Sequence, residues 1–251
     1  MVDSGADSSQ STATLRLTMG ELRVVHPITV TATAVPATAV IPALQKLVNA
    51  VVDAAERKSV EDGRAISCRK GCGACCRQAV PISHTEGDRL LDLIEAMPAS
   101  RRDTLTARFA AASEALMHAG LREALLAPDK RDGKTNRDLS LAYWALGIAC
   151  PFLEAESCSI HAERPLTCRE YLATSPAELC AGPAQEGVKL VAVPKASMAA
   201  RGLDEDNADA DTSGRWFALS LLLDWSKARP REAVRRPGPE WVQRFVRRIG
   251  R

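Results

Sequence analysis

The stretch CRKGCGACC, Cys68 to Cys76, packs four of the chain's eight cysteines into nine residues. Two glycines, Gly71 and Gly73, flank Cys72, and Cys75 and Cys76 are neighbours. The other four cysteines lie downstream, in CPFLEAESCSIHAERPLTCREY and ELC, at Cys150, Cys158, Cys168 and Cys180. The composition is otherwise ordinary, so the reading of the chain turns on what these two groups do.

At 251 residues the chain is long enough to bury a real apolar core without covalent staples. Apolar residues make up 46%, charged residues 25%, and the formal net charge is +2. That charge is too small to imply a nucleic-acid or membrane partner for the chain as a whole. The opening MVDSGADSSQS has neither the basic start nor the apolar stretch of a secretory signal. The long uncharged run Ile28 to Leu44 holds four threonines and two prolines, and falls short of the ~20 apolar residues of a spanning helix. A cytoplasmic location and no membrane contact are therefore expected. In a reducing cytosol, clustered thiols are more often metal ligands or redox groups than disulfides. Cysteine is also only about 3% of the chain, and four thiols within nine residues would close short, strained loops.

Periodicity points to a mainly α fold with a small β component. Leu15, Leu17 and Met19, then Leu22 and Val24, alternate about Gly20 and predict an N-terminal hairpin. Leu44, Leu47, Val48, Val51, Val52 and Ala55 follow helical spacing after Pro42. Ser83 to Glu86 fits a capping box that opens a helix closing at Pro98. Further helices are expected over 101–118, 139–149, 216–227 and 241–249, and one late strand over Val188 to Pro194. Residues 128–138 and the acidic 204–211 read as loops, and 150–180 as an irregular segment. The chain divides into 1–41, a disordered start and hairpin; 42–200, a helical cysteine-cluster domain; and 201–251, an acidic loop with C-terminal helices and a basic tail.

A C-x2-C turn brings two thiolates to one metal, and glycines beside it let backbone approach a metal closely. Adjacent Cys75 and Cys76 point in different directions, which argues against both serving one ion. Four thiols plus four suit two tetrathiolate sites, or one larger cluster with spare thiols. The candidate ligands are Cys68, Cys72, Cys75, Cys76, Cys150, Cys158, Cys168 and Cys180, binding zinc or an iron–sulfur cluster; four thiolates serve either. Arg164 and Arg169 bracket Cys168 and would offset the charge of a tetrathiolate centre and donate hydrogen bonds to sulfur. The plainer alternative is two solvated arginines beside Pro165. Structural zinc can contribute ~10–16 kcal/mol, against a domain stability of ~5–15 kcal/mol. Metal, rather than packing, is therefore expected to fix 68–76 and 150–180.

C-x3-C-G-x-C-C followed by C-P-F-L, C-x-I, R-P and C-R resembles the zinc- or iron-chelating cysteine-cluster (CxxCxxCC-type) family of bacterial proteins. The matching positions are Cys68, Cys72, Cys75, Cys76, Cys150, Cys158, Arg164, Pro165, Cys168 and Arg169, over roughly residues 65 to 180. Pro81-Ile82-Ser83 and SPAELC, ending at Cys180, are also similar to members. The resemblance implies metal binding more firmly than any reaction. One departure is His161, where relatives usually place an aromatic residue. It is either a further ligand or, as we favour, a histidine in the aromatic's packing slot.

Three functions follow from this reading: an iron–sulfur or zinc protein with a redox or electron-transfer role, a zinc-stabilised module for a protein or nucleic-acid partner, and an iron–sulfur enzyme. The last rests on the similarity of some relatives to flagellin lysine methylases. No dinucleotide fingerprint, P-loop, H-E-x-x-H or nucleophile elbow supports a specific enzyme. From Ser226 to Arg251 nine Lys or Arg against two Glu leave +7. Nucleic acid is nevertheless disfavoured, because the last helix pairs those arginines with Trp241, Val242, Phe245 and Ile249, an apolar face suited to docking on the domain.

Overall fold

The computed structural model describes residues 9–126, 133–181, 187–203, 210–212, 214–229 and 234–249. In chain order its elements begin with β1 (Gln10–Met19), β2 (Leu22–Thr31), β3 (Ala34–Pro36), α1 (Ile41–Glu61), β4 (Pro81–Ile82), α2 (His84–Glu95), α3 (Ala99–His118) and α4 (Arg122–Leu126). They continue with α5 (Gly133–Ala145), β5 (Leu153–Glu154), β6 (Ser157–Cys158), α6 (Leu166–Glu170), α7 (Glu178–Ala181) and α8 (Ala196–Ala200). The last are β7 (Phe217–Ala218), α9 (Leu222–Ala228), β8 (Arg235–Pro237) and α10 (Gly238–Val246). The fold is mainly α with a small β component, and each sheet is an antiparallel pair: β1-β2, β3-β8, β4-β7 and β5-β6.

The N-terminal alternation builds the expected hairpin, paired from Gln10↔Thr31 to Met19↔Leu22 with Gly20 left-handed at the turn. Val24, Ile28 and Val30 of β2 turn inward onto α1, whose Leu44, Leu47, Val48 and Val51 are fully buried. That core closes over α10 through Trp241, Val242 and Phe245, and takes in Leu166 and Ala196 to Leu203. A second core joins α2, α3 and α9 around Phe109, Phe152, Ile160, Phe217 and Trp225, and a smaller third one gathers Leu116, Leu125, Tyr143 and Leu221. No described helix is long and apolar enough to cross a membrane.

Several elements differ from the sequence expectation, and tertiary pairing explains most of them. The helix expected over 139–149 runs instead from Gly133 to Ala145, because polar residues continue it outward from buried Tyr143 and Trp144 and left-handed Gly147 follows its end. Residues 188–194 make a single bridge, Ala173↔Leu190, rather than a strand. Trp216 does not start a helix, because Phe217–Ala218 is drawn into pairing with Pro81–Ile82. Residues 150–180 hold a hairpin and two short helices with Phe152, Ile160, Leu166 and Leu172 buried, so packing orders them more than expected. The sequence expectations for 1–8, for 128–132 and for 204–209 lie outside the described residues.

The amphipathic pattern of the last helix is realised as docking, with Trp241 Nε1 donating to the Val35 carbonyl at 2.9 Å. Phe245 is fully buried and Arg247 exposed. Urea unfolding is expected to show Phe245→Ala losing about 3–5 kcal/mol, and Arg247→Ala changing stability by under about 0.5 kcal/mol.

Candidate metal centre

Three chain segments meet at the cysteines: the loop and 3-10 turn over 68–77, the β5–β6 hairpin with its approach from Cys150, and the stretch from α6 to α7. All eight cysteines are free; Cys180 is buried and the rest are half-buried.

Gly73 explains how the first two segments close on each other. A Cβ there would meet Leu153 Cδ1 at 2.7 Å and the Glu156 carbonyl oxygen at 2.9 Å, so only glycine lets the hairpin seat. Gly71 is the residue that uses left-handed freedom, at φ 84°. The hairpin turn places Ala155 and Glu156 at φ 46° and 57°, a conformation that disfavours non-glycine residues by roughly 1–2 kcal/mol each. In it, Glu156 accepts two hydrogen bonds from Arg77, at 2.6 and 3.0 Å, and this pair holds its carboxyl below the usual range. The Cys150 amide donates to the Cys76 carbonyl at 2.8 Å. From outside, Phe152 packs edge-on against Phe109 of α3, and Arg108 donates to Glu154 at 2.9 Å.

The third segment is placed by buried carboxylates. Glu86 completes the α2 capping box with Ser83 and also accepts the Leu166 amide at 2.8 Å, at the start of α6. One side chain thus fixes the start of two helices, the second carrying Cys168. Burial pushes the Glu86 carboxyl up, and these hydrogen bonds oppose the shift. Glu170, at the other end of α6, accepts from the Ser197 amide and hydroxyl at 2.6 and 2.8 Å. The Cys68 sulfur accepts from the Ala173 amide at 3.3 Å, and Gln78 donates to the Tyr171 hydroxyl at 3.2 Å and the Cys180 carbonyl at 3.3 Å.

The result is electrostatic crowding. Burial pushes up the thiols of Cys68, Cys158, Cys168 and Cys180, and raises Cys150 to about 12; neighbouring thiolates add to each shift. Cys75 is raised first by its hydrogen bond with Cys76, then by burial. Arg164 opposes this at Cys68, Cys75, Cys158 and Cys168, and its buried Nε has no hydrogen-bond partner among the described residues.

Arg169 is differently engaged. Its guanidinium donates to the carbonyls of Arg164 and Ala162 and to Asn49 Oδ1 at 2.9, 2.5 and 2.7 Å, tying the loop before α6 to α1. His161 is exposed rather than in a packing slot; its ring meets the Arg164 guanidinium, and burial, then Arg164, lower its pKa. His84 stacks on Trp225 at 5.4 Å.

Residues 67–190 match the family model CxxCxxCC, described as "Putative zinc- or iron-chelating domain". This segment is a CxxCxxCC domain. The match encloses all eight cysteines, Arg164 and Arg169. No curated protein and no solved structure matches the chain. The family name spells two residues between its first two cysteines, whereas this CxxCxxCC domain has three, Arg69, Lys70 and Gly71, between Cys68 and Cys72.

Among the described residues, no group of three or more Cys, His, Asp or Glu side chains is arranged to hold a metal ion as it stands. The donor set nevertheless fits a soft cation. Eight free thiols repel one another as thiolates, and a cation would replace that repulsion with bonding. The sulfurs of the CxxCxxCC domain are gathered but not converged, so uptake requires side-chain rotation. Sequence reasoning missed Glu86 as the residue that places Cys168, because its contact with Leu166 spans 80 positions and has no local signal.

The raised thiols set a pH dependence. Metal uptake must displace protons, so apparent zinc affinity in a chelator competition is expected to fall steeply from pH 8 to pH 6. For the metal-free protein the sign is opposite. Native thiols with raised pKa values hold protons that the unfolded chain releases, so stability is present below pH 9 and is lost as pH rises towards about 12, the Cys150 value. Urea midpoints of metal-free protein at pH 8 and pH 10 check this, with the lower midpoint expected at pH 10.

Proposed function

We propose that the chain is an electron-transfer protein whose CxxCxxCC domain holds an iron–sulfur centre through cysteines drawn from Cys68, Cys72, Cys75, Cys76, Cys150, Cys158, Cys168 and Cys180. Zinc chelation by the same thiols is the alternative that the family description equally covers. The observation that favours iron is Arg164. A buried N–H without a partner, on a guanidinium whose charge favours the thiolate form of several cysteines, suits a centre whose sulfur gains negative charge on reduction. A purely structural zinc would have less to do here, because the hairpin and α6 already have packing and buried hydrogen bonds of their own. When bound, such a centre supplies one-electron chemistry. The chain's own residues then shield and tune it: Arg164 by charge and N–H donation, Tyr171 and Gln78 by anchoring Cys180, and Glu86 by placing Cys168.

With its apolar face spent on the core, α10 leaves the interaction-module reading to rest on its basic residues. For the methylase-related reading, the cavities described lie against the N-terminal hairpin, α1 and, in one, residues 191–194, not against the thiols.

Iron, zinc and acid-labile sulfide measured per chain after oxygen-free purification test the proposal. Iron with sulfide is expected; zinc without iron would overturn the redox role and leave the chelating one. On the iron-loaded protein, Arg164→Ala is expected to move the midpoint potential to more negative values, by on the order of 60 mV for a tenfold loss in relative stability of the reduced form. Arg164→Lys is expected to restore part of the shift.

A further inference from the structure

We propose that the outer edge of β1 pairs with the same edge of a second copy of this chain, joining two hairpins into one antiparallel sheet about a two-fold axis. The backbone decides which groups are on offer. Ala32 donates to the Ser9 carbonyl at 2.8 Å, and these two residues lie opposite one another in the register that runs from Gln10↔Thr31 to Met19↔Leu22. Hydrogen-bonded and non-hydrogen-bonded pairs alternate along an antiparallel ladder. The odd-numbered residues of β1 therefore bond to β2, and Gln10, Thr12, Thr14, Arg16 and Thr18 turn their N–H and C=O groups to the outer edge. Thr14↔Pro27 fits this assignment, because a proline in a hydrogen-bonded pair would cost the ladder a donor. Among the described residues, β1 pairs with β2 alone.

The two edges of the hairpin differ in protection. On the outer edge of β2, Pro27 has no N–H to give. A Cβ at Gly238 would collide with the Thr31 carbonyl, so the start of α10 lies against that end of the strand. β1 has neither device. It runs from Gln10 to Met19 without proline or bulge, its outward residues are exposed, and Arg16 is its single charge. A long, exposed, nearly uncharged edge is a template for another strand. Because the β2 edge is blocked, the joint sheet stops at two copies, and the assembly closes.

The strand is its own complement, which makes a second copy the occupant. Core-facing and solvent-facing residues must keep to their sides of the joint sheet, so odd positions meet odd and even meet even. An axis through Thr14 pairs Gln10 with the partner's Thr18, Thr12 with the partner's Arg16, and Thr14 with its own copy. This register engages every outward residue. It also sets Arg16 against threonine, whereas an axis through Arg16 would oppose the two guanidinium groups. On the core side, Leu15 and Leu17 are half-buried at the rim of the first core. The same register lays them beside the partner's Ala13 and Ser11, which extends their cover.

Sedimentation equilibrium of the full chain, under reducing conditions that keep its free thiols from cross-linking copies, tests this. A concentration-dependent dimer is expected. Thr14→Pro removes only an outward N–H, so it is expected to give a monomer with an unchanged far-UV circular dichroism spectrum. Thr12→Glu, opposite the partner's Arg16, is expected to tighten the dimer and Thr12→Arg to weaken it, each by on the order of tenfold in Kd through two symmetry-related pairs. If Thr14→Pro fails to fold, the two Thr12 variants still decide. A chain that is monomeric at every concentration, a dimer that a folded Thr14→Pro leaves intact, or Thr12 variants that shift Kd in the same direction would overturn the pairing.

Discussion

The cost of ionising clustered, desolvated thiols is the constraint around which this molecule is organised. Burial raises the cost of ionising these sulfurs, and because they come from three distant segments and sit close together, ionising one adds to the cost of ionising the next. Without a cation, Cys68, Cys75, Cys150, Cys158, Cys168 and Cys180 are held towards the protonated form. With one, the same crowding becomes a set of ligands, and the energy stored in bringing thiols together is recovered as bonding. Arg164 opposes the shift at four of the cysteines but offsets only part of it.

Two cores, each ordered by packing, hold the cluster between them. The hairpin, α1 and α10 form one wall; α2, α3 and α9 form the other. Buried carboxylates link these walls to the cysteine segments: Glu86 spans from the α2 cap to the start of α6, and Glu170 from the end of α6 to Ser197. Such groups are expensive to bury unpaired, so each is met by several donors. The arrangement places the cysteine-bearing segments by packing and hydrogen bonds that do not depend on metal. It therefore gives the chelating domain a preformed scaffold.

Much of this was legible in the sequence. Eight cysteines in two groups, with R-P and C-R at Arg164 to Arg169, carried the family resemblance, and the family match encloses every one of them. The hairpin, α1, the α2 capping box and the docked face of α10 followed from alternation, helical spacing and cap chemistry, which are local signals. What was not legible was tertiary. Phe217 reads as helix by its neighbours but pairs with Ile82, and Leu190 reads as strand but makes a single bridge. Gly73 was expected for its backbone freedom; its φ is −96°, and the reason for glycine is the approach of Leu153 and Glu156. Arg164 and Arg169 were indistinguishable in sequence. Contacts separate them: Arg169 is engaged with Asn49 and two carbonyls, while Arg164 meets the His161 ring and its charge favours the thiolate form of four cysteines.

The central claim is that metal in this protein is held by cysteine sulfur alone. X-ray absorption at the metal edge of protein purified without oxygen addresses that claim most directly. The account predicts a first shell made only of sulfur, at ~2.3 Å for zinc, unchanged when His161 is replaced by alanine. A first shell containing nitrogen or oxygen, or purified protein with no bound metal, would contradict it.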